Sequence, residues 1–241
     1  MYDARMTPNP TAPNPTAPLA ASPSRARLRD GYSRAERLSD AVMHLSGLTA
    51  AALAVPVLVT LTVVLRGDAT AVAASVIYGV TLIAMILCSA LYHMVPDGSW
   101  TRLLRRLDHS AIYLKIAGTY TPFTLLAGGQ GYLLAGLWGA AAAGTGLKMV
   151  SPERFRWAAL ALYLGMGWVG VIAGWGVFST VSTPVLILIV IGGLTYTAGV
   201  AFFLYERLPF HNTIWHGFVL VASMVFYAAV ALHVLAPPSA A

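Results

Sequence analysis

Beyond its first thirty-odd residues, the chain alternates long apolar runs with short polar breaks at RGD, PDGSWTRLLRR, GGQG, SPER, the Ser179–Ser182 stretch and ERLPFHN. The breaks leave apolar spans at about 39–65, 71–95, 107–127, 131–150, 155–177, 181–205 and 211–235. Each is close to the ~20 residues with which a helix crosses the hydrocarbon of a bilayer. The runs are continuously apolar and do not alternate with period two, which excludes a closed β-barrel. The pattern predicts an all-α fold, a polytopic bundle of seven transmembrane helices.

The opening segment is of a different kind. TPNPTAPNPTAP repeats a short proline motif, and X-Pro spacing of that sort favours extended polyproline conformations over packed elements. Residues 1–33 read as a disordered Pro-rich tail and 34–241 as the membrane domain. The tail lacks a continuous apolar core before a small-residue cleavage site, so it does not read as a secretory signal.

Composition agrees with the hydropathy pattern. Hydrophobic residues make up 58% of the chain and charged residues 10%, with mean hydropathy +0.71. That leaves too little polar surface to coat a soluble globule. Cys88 is the single cysteine, so no intramolecular disulfide and no thiolate cluster can form, and any metal must be held by His and oxygen. A net charge of +6 raises the question of nucleic acid, but the placement of the charges answers it. Of fifteen Lys and Arg residues, thirteen lie in the tail or in the even-numbered connections, on one side of the predicted membrane. Arg66 lies on the other side, and Lys115 lies inside a span. The positive-inside rule then predicts a multi-pass cell-membrane protein with a cytoplasmic N-terminus and an external C-terminus, and no nucleic-acid partner.

Candidate chemistry collects at one depth. SALYH ends the second span with Ser89 and His93. LDHSAIYL opens the third with Asp108, and HNTIWHGF opens the seventh with His211 and His216. In the predicted topology all of these lie toward the cytoplasmic ends of their helices. Ionisable side chains at such positions are costly and mark functional sites. Ser89 and His93 are four residues apart, hence within about 40° on one helical face. Histidines from two helices can supply the three protein ligands of an open zinc site. Taken singly, Asp108 also suits a helix cap paired with Arg105 or Arg106, and Ser89 suits close helix packing. His44, His109 and His233 read as structural or interfacial.

The S-x3-H motif, the LDHSAIYL and GTYTPF blocks of the third span and WHGFVL of the seventh resemble the hemolysin III family of bacterial membrane proteins. That family is related to the progestin and adipoQ receptors and to the alkaline ceramidases. The resemblance runs from ERLSDAVMH, starting at Glu36, to the C-terminus. It implies a seven-helix bundle with a cytoplasm-side zinc held by one histidine of the second helix and two of the seventh. It also implies a Ser and an Asp beside the metal, and hydrolysis of a lipid amide in some branches. One departure stands out: the family pattern on the seventh helix is H-x3-H, whereas here Asn212 stands four before His216 and His211 five before. A five-residue step turns an unbroken helix by ~140°. Asn212 as N-cap, with Pro209 nearby, would leave His211 outside the helix and free to swing inward. His211 is the expected third ligand with His93 and His216, the alternative being Asn212 or water.

Lys115 follows Asp108 by seven positions, on nearly the same face and ~10 Å deeper. An aliphatic residue is usual there in the family, and Lys115 reads as lining a cavity beneath the metal where a substrate carboxylate or phosphate could be met. Two functions follow. The first is a zinc-dependent intramembrane hydrolase acting on a lipid amide or ester, with Asp108 managing the proton of an activated water and Ser89 helping to stabilise the oxyanion. The second is a non-enzymatic membrane protein with structural zinc, acting on membrane homeostasis or causing cytolysis.

Overall fold

A computed structural model describes residues 33–96, 98–128, 131–150, 156–173 and 175–236; the predicted tail, apart from Ser33, lies outside the described residues. Among the described residues every regular element is helical: α1 (Arg34–Leu65), α2 (Ala69–Met94), α3 (Thr101–Ala127), α4 (Gly131–Val150), α5 (Arg156–Ala173), the single turn α6 (Trp175–Phe178), α7 (Thr183–Leu204) and α8 (His211–Leu235). These follow the predicted spans in order, with α5 and α6 sharing the fifth. The protein is an all-α, polytopic membrane bundle. Helices α1, α2, α4, α7 and α8 are long and apolar enough to cross a membrane. Helix α3 is more polar, carrying Asp108, Lys115, Thr119, Thr121 and Thr124. Helices α1 and α3 begin several residues earlier than their apolar spans. Hydropathy marks the hydrocarbon boundary, whereas Arg and Glu are good helix formers that continue a helix into water.

Local chemistry sets the helix ends. Asp68 caps α2 by accepting from Thr70 N at 3.1 Å and Ala71 N at 3.2 Å, an arrangement that satisfies otherwise orphaned donors. Helix α7 opens with Pro184 in its first turn, where the missing N–H costs nothing.

Side-chain bonds tie helix to helix inside the apolar core. Tyr113 Oη donates to Ala159 O at 2.9 Å, Tyr120 Oη to Gly167 O at 2.7 Å, and Tyr227 Oη to Ala54 O at 2.7 Å. Glycines permit the closest approaches. At Gly118 of the GTYTPF block an added Cβ would overlap the Thr81 side chain of α2, and at Gly144 it would sit 2.8 Å from the Tyr113 ring. These are small-residue contacts of the kind that let membrane helices pack without a hydrophobic driving force between them.

The two ends of the bundle are fixed by polar contacts. At one end Phe210 N donates to Glu36 Oε1 at 3.1 Å, and Arg156 Nη2 donates to Glu206 Oε1 at 2.8 Å. At the other, Arg66 Nη1 donates to Val234 O at 3.0 Å. The Phe210–Glu36 bond thus joins the starts of α1 and α8.

Candidate metal centre

Three helices deliver the site. On α1, Asp40 and His44 are four residues apart and therefore share a face. His93 lies in the last turn of α2, and His216 is the sixth residue of α8. Each of these four side chains offers one ligand atom, and the four atoms lie within 4.8 Å of one another. Asp40 and His44 are buried, at 7% and 4% exposure, and His93 and His216 are half-buried.

Asp40 is the hub. One carboxylate oxygen is 2.5 Å from His216 Nδ1 and the other 3.1 Å from His93 Nδ1. A buried carboxylate is expensive unless it is paired, and here it is met by two imidazoles. The imidazole of His44 is held differently. Its Nδ1 lies 2.8 Å from the backbone oxygen of Asp40 and its Nε2 3.0 Å from Ser89 Oγ. A carbonyl can only accept, so Nδ1 carries the proton and Nε2 presents its lone pair to the Ser89 hydroxyl. The His44 ring also stacks on His93 with centroids 5.1 Å apart and meets His216 edge-on at 4.4 Å. Once His44 is committed to these two partners, Asp40, His93 and His216 form a set of two imidazoles and one carboxylate. That is a donor set of open catalytic zinc sites, which leave one position unfilled by protein. The chemistry of the residues fits a borderline-soft divalent cation.

The sequence expectations meet this geometry unevenly. His93 and His216 come together, with Ser89 beside them through His44. His211 is not in the cluster. Helix α8 begins at His211 itself, after Phe210 in the left-handed conformation at φ 59°. The expected Asn212 cap is therefore not formed. With the helix unbroken, the five-residue step turns His211 away from the face of His216, and Asn212 takes that face, its Nδ2 3.3 Å from His93 Nδ1. Asp108 is also outside the cluster. It is the eighth residue of α3, so it caps nothing, and it lies within electrostatic reach of Cys88, the neighbour of Ser89 in sequence. Sequence reasoning missed Asp40 and set His44 aside as structural. The available signal was their D-x3-H spacing near the start of the first apolar run, the same spacing that linked Ser89 to His93.

Lys115 is 2% exposed in mid-membrane. Its Nζ lies 4.6 Å from the Tyr196 ring centre and 4.9 Å from that of Phe226. A lysine at mid-bilayer costs about 2.5–3.5 kcal/mol on insertion scales, and each ring face returns about 0.5–2 kcal/mol. The rings thus offset part of the charge but give its three N–H donors no conventional acceptor.

The Haemolysin-III related family matches residues 33–227, which include every residue of the cluster. The chain belongs to the haemolysin-III family. Among its relatives, Hemolysin-3 of Bacillus cereus is 38% identical over 205 residues, covering 83% of this chain and 92% of that protein. The Hemolysin-3 homolog of Bacillus subtilis (strain 168) is 34% identical over 208 residues, covering 84% and 96%. Monocyte to macrophage differentiation factor of Homo sapiens is 32% identical over 166 residues, covering 64% and 67%. The GTYTPF and WHGFVL blocks of this haemolysin-III chain have clear roles in the fold. Gly118 admits Thr81 at the α2–α3 contact, and His216 reaches Asp40 across the α1–α8 contact.

Proposed function

We propose that this haemolysin-III protein is a zinc-dependent intramembrane hydrolase of a lipid amide or ester. One observation supports the reading above all others: Asp40, His93 and His216 converge from three helices of an apolar bundle, with the His44–Ser89 pair against them. Asp40, His93 and His216 would hold the ion. Bound there, zinc supplies Lewis-acid polarisation of a carbonyl and acidifies water. The chain's own groups do the rest. His44, anchored through Nδ1 to the Asp40 carbonyl, accepts a hydrogen bond from Ser89 Oγ at Nε2 and so orients the Ser89 hydroxyl. Asp108 serves as the proton acceptor, a role that does not require it to touch the ion. The surrounding helices exclude bulk water and select an amphiphile.

Purified protein should hydrolyse at least one member of a panel of ceramide-like amides and acyl esters, lose that activity to a chelator and regain it with zinc. Absence of turnover on every lipid would reject the enzymatic reading. The name of the Bacillus cereus relative favours one other function, lysis without chemistry and with zinc serving structure, which predicts dye release from vesicles with no lipid turned over.

The cation distribution supports a cytoplasmic N-terminus and an external C-terminus. Reporter fusions after Arg37 and after Arg207 should read cytoplasmic and a C-terminal fusion external. A cytoplasmic C-terminus would overturn the orientation.

A further inference from the structure

We propose that the cavity around Lys115 binds a long-chain carboxylate taken from the bilayer, at a place separate from the metal centre. The cavity lies between α3, α5, α7 and α8. None of its lining residues belongs to the metal cluster. Phe226, in its wall, is ten residues along α8 from His216, or about 15 Å deeper into the bundle.

The walls are apolar, and their polar groups are nearly all occupied. Tyr196 Oη pairs with Ser223 Oγ at 2.7 Å, and Tyr120 Oη donates to Gly167 O at 2.7 Å. Thr119 Oγ1 donates to Lys115 O at 2.8 Å. Trp168 Nε1 donates to Thr197 Oγ1 at 3.1 Å, and that hydroxyl donates to Gly193 O at 2.8 Å. Among the described side chains that line the cavity, two groups are left over. The Lys115 ammonium has ring faces but no carboxylate, and the buried Tyr163 hydroxyl has no hydrogen-bond partner.

Both leftover groups donate, and one is cationic, so the complementary ligand brings acceptor oxygens and one negative charge. A single ammonium neutralises a carboxylate but leaves a phosphate dianion with uncompensated charge in hydrocarbon, which is costly. The exposed residues on the rim, Gly167 on α5 and Val190 and Thr197 on α7, face outward between two helices. That position opens the cavity sideways, where a chain already dissolved in the bilayer would enter with its tail along the apolar wall.

Full-length protein in phosphatidylcholine nanodiscs, titrated with palmitate, hexadecanol and hexadecyl phosphate, tests the site. Palmitate should saturate near one per chain and bind at least about 10-fold more tightly than hexadecanol, the scale of a charge-assisted bond. Lys115→Met should remove that preference at unchanged zinc content, and Tyr163→Phe should reduce it several-fold. If Lys115→Met fails to fold, the palmitate-to-hexadecanol ratio of the unmodified protein and the Tyr163→Phe variant still decide. Equal binding of palmitate and hexadecanol, an unaltered Lys115→Met preference, or tighter binding of hexadecyl phosphate than of palmitate would each overturn the proposal.

Discussion

Alanine at His93, His216 or Asp40 is expected to strip most of the zinc from the purified protein, because each change leaves two protein ligands where three are needed to retain the ion. Asp40→Ala is the most informative of the three. Its carboxylate lies 2.5 Å from His216 Nδ1 and 3.1 Å from His93 Nδ1, so its loss opens the centre from the α1 side. His44→Ala should act more gently. Removing a group that supports the ligands typically costs 10- to 100-fold in affinity, so zinc should remain at high supply and wash out under competition. His211→Ala should keep its zinc, since the first residue of α8 faces away from the cluster. Metal analysis beside a thermal melt for each variant separates ligand loss from unfolding. Full zinc in Asp40→Ala together with loss in His211→Ala would put the third ligand on α8 and remove α1 from the centre.

Asp108→Asn is expected to leave zinc content and melting temperature unchanged while lowering lipid hydrolysis by roughly 10²-fold or more, the usual scale of a lost general base. A capping role predicts almost no effect, since asparagine caps as well as aspartate, and Asp108 lies too far inside α3 to cap it. Its carboxylate is not among the ligand atoms, so the substitution tests proton handling apart from metal retention. Turnover undiminished in this variant would exclude Asp108 from the mechanism and leave His44 as the proton acceptor.

Much of the fold was legible because bilayer physics writes it in one dimension. An apolar run of about twenty residues has few alternatives to a spanning helix, and the charges between runs sort the connections to two sides. The depth of His93 and His216 was legible for the same reason. What one-dimensional hydropathy does not carry is the angle of each helix about its axis and its choice of neighbours. Asp40 and His44 were overlooked because nothing in the sequence says that α1 turns this face toward α2 and α8. That is settled by packing contacts such as Tyr227 to Ala54 and Glu36 to Phe210. The expectation of an Asn212 cap failed through a local rule. Asn212 is a good capping residue, but Phe210, whose N–H donates to Glu36 Oε1, takes the cap position in the left-handed conformation, and the helix begins at His211, one residue before Asn212. Lys115 was legible as an anomaly, whereas the aromatic cage around it draws on α7 and α8 and appears only in the folded bundle.

X-ray absorption at the zinc edge of the unmodified purified protein tests the centre most directly, since one spectrum reports both the amount of zinc and its ligands. The arrangement of Asp40, His93 and His216 predicts about one zinc per chain, with two imidazole nitrogens and the remaining positions oxygen, all at about 2.0–2.2 Å and with no sulfur. Protein without zinc, or a shell of three imidazoles with no carboxylate, would contradict it.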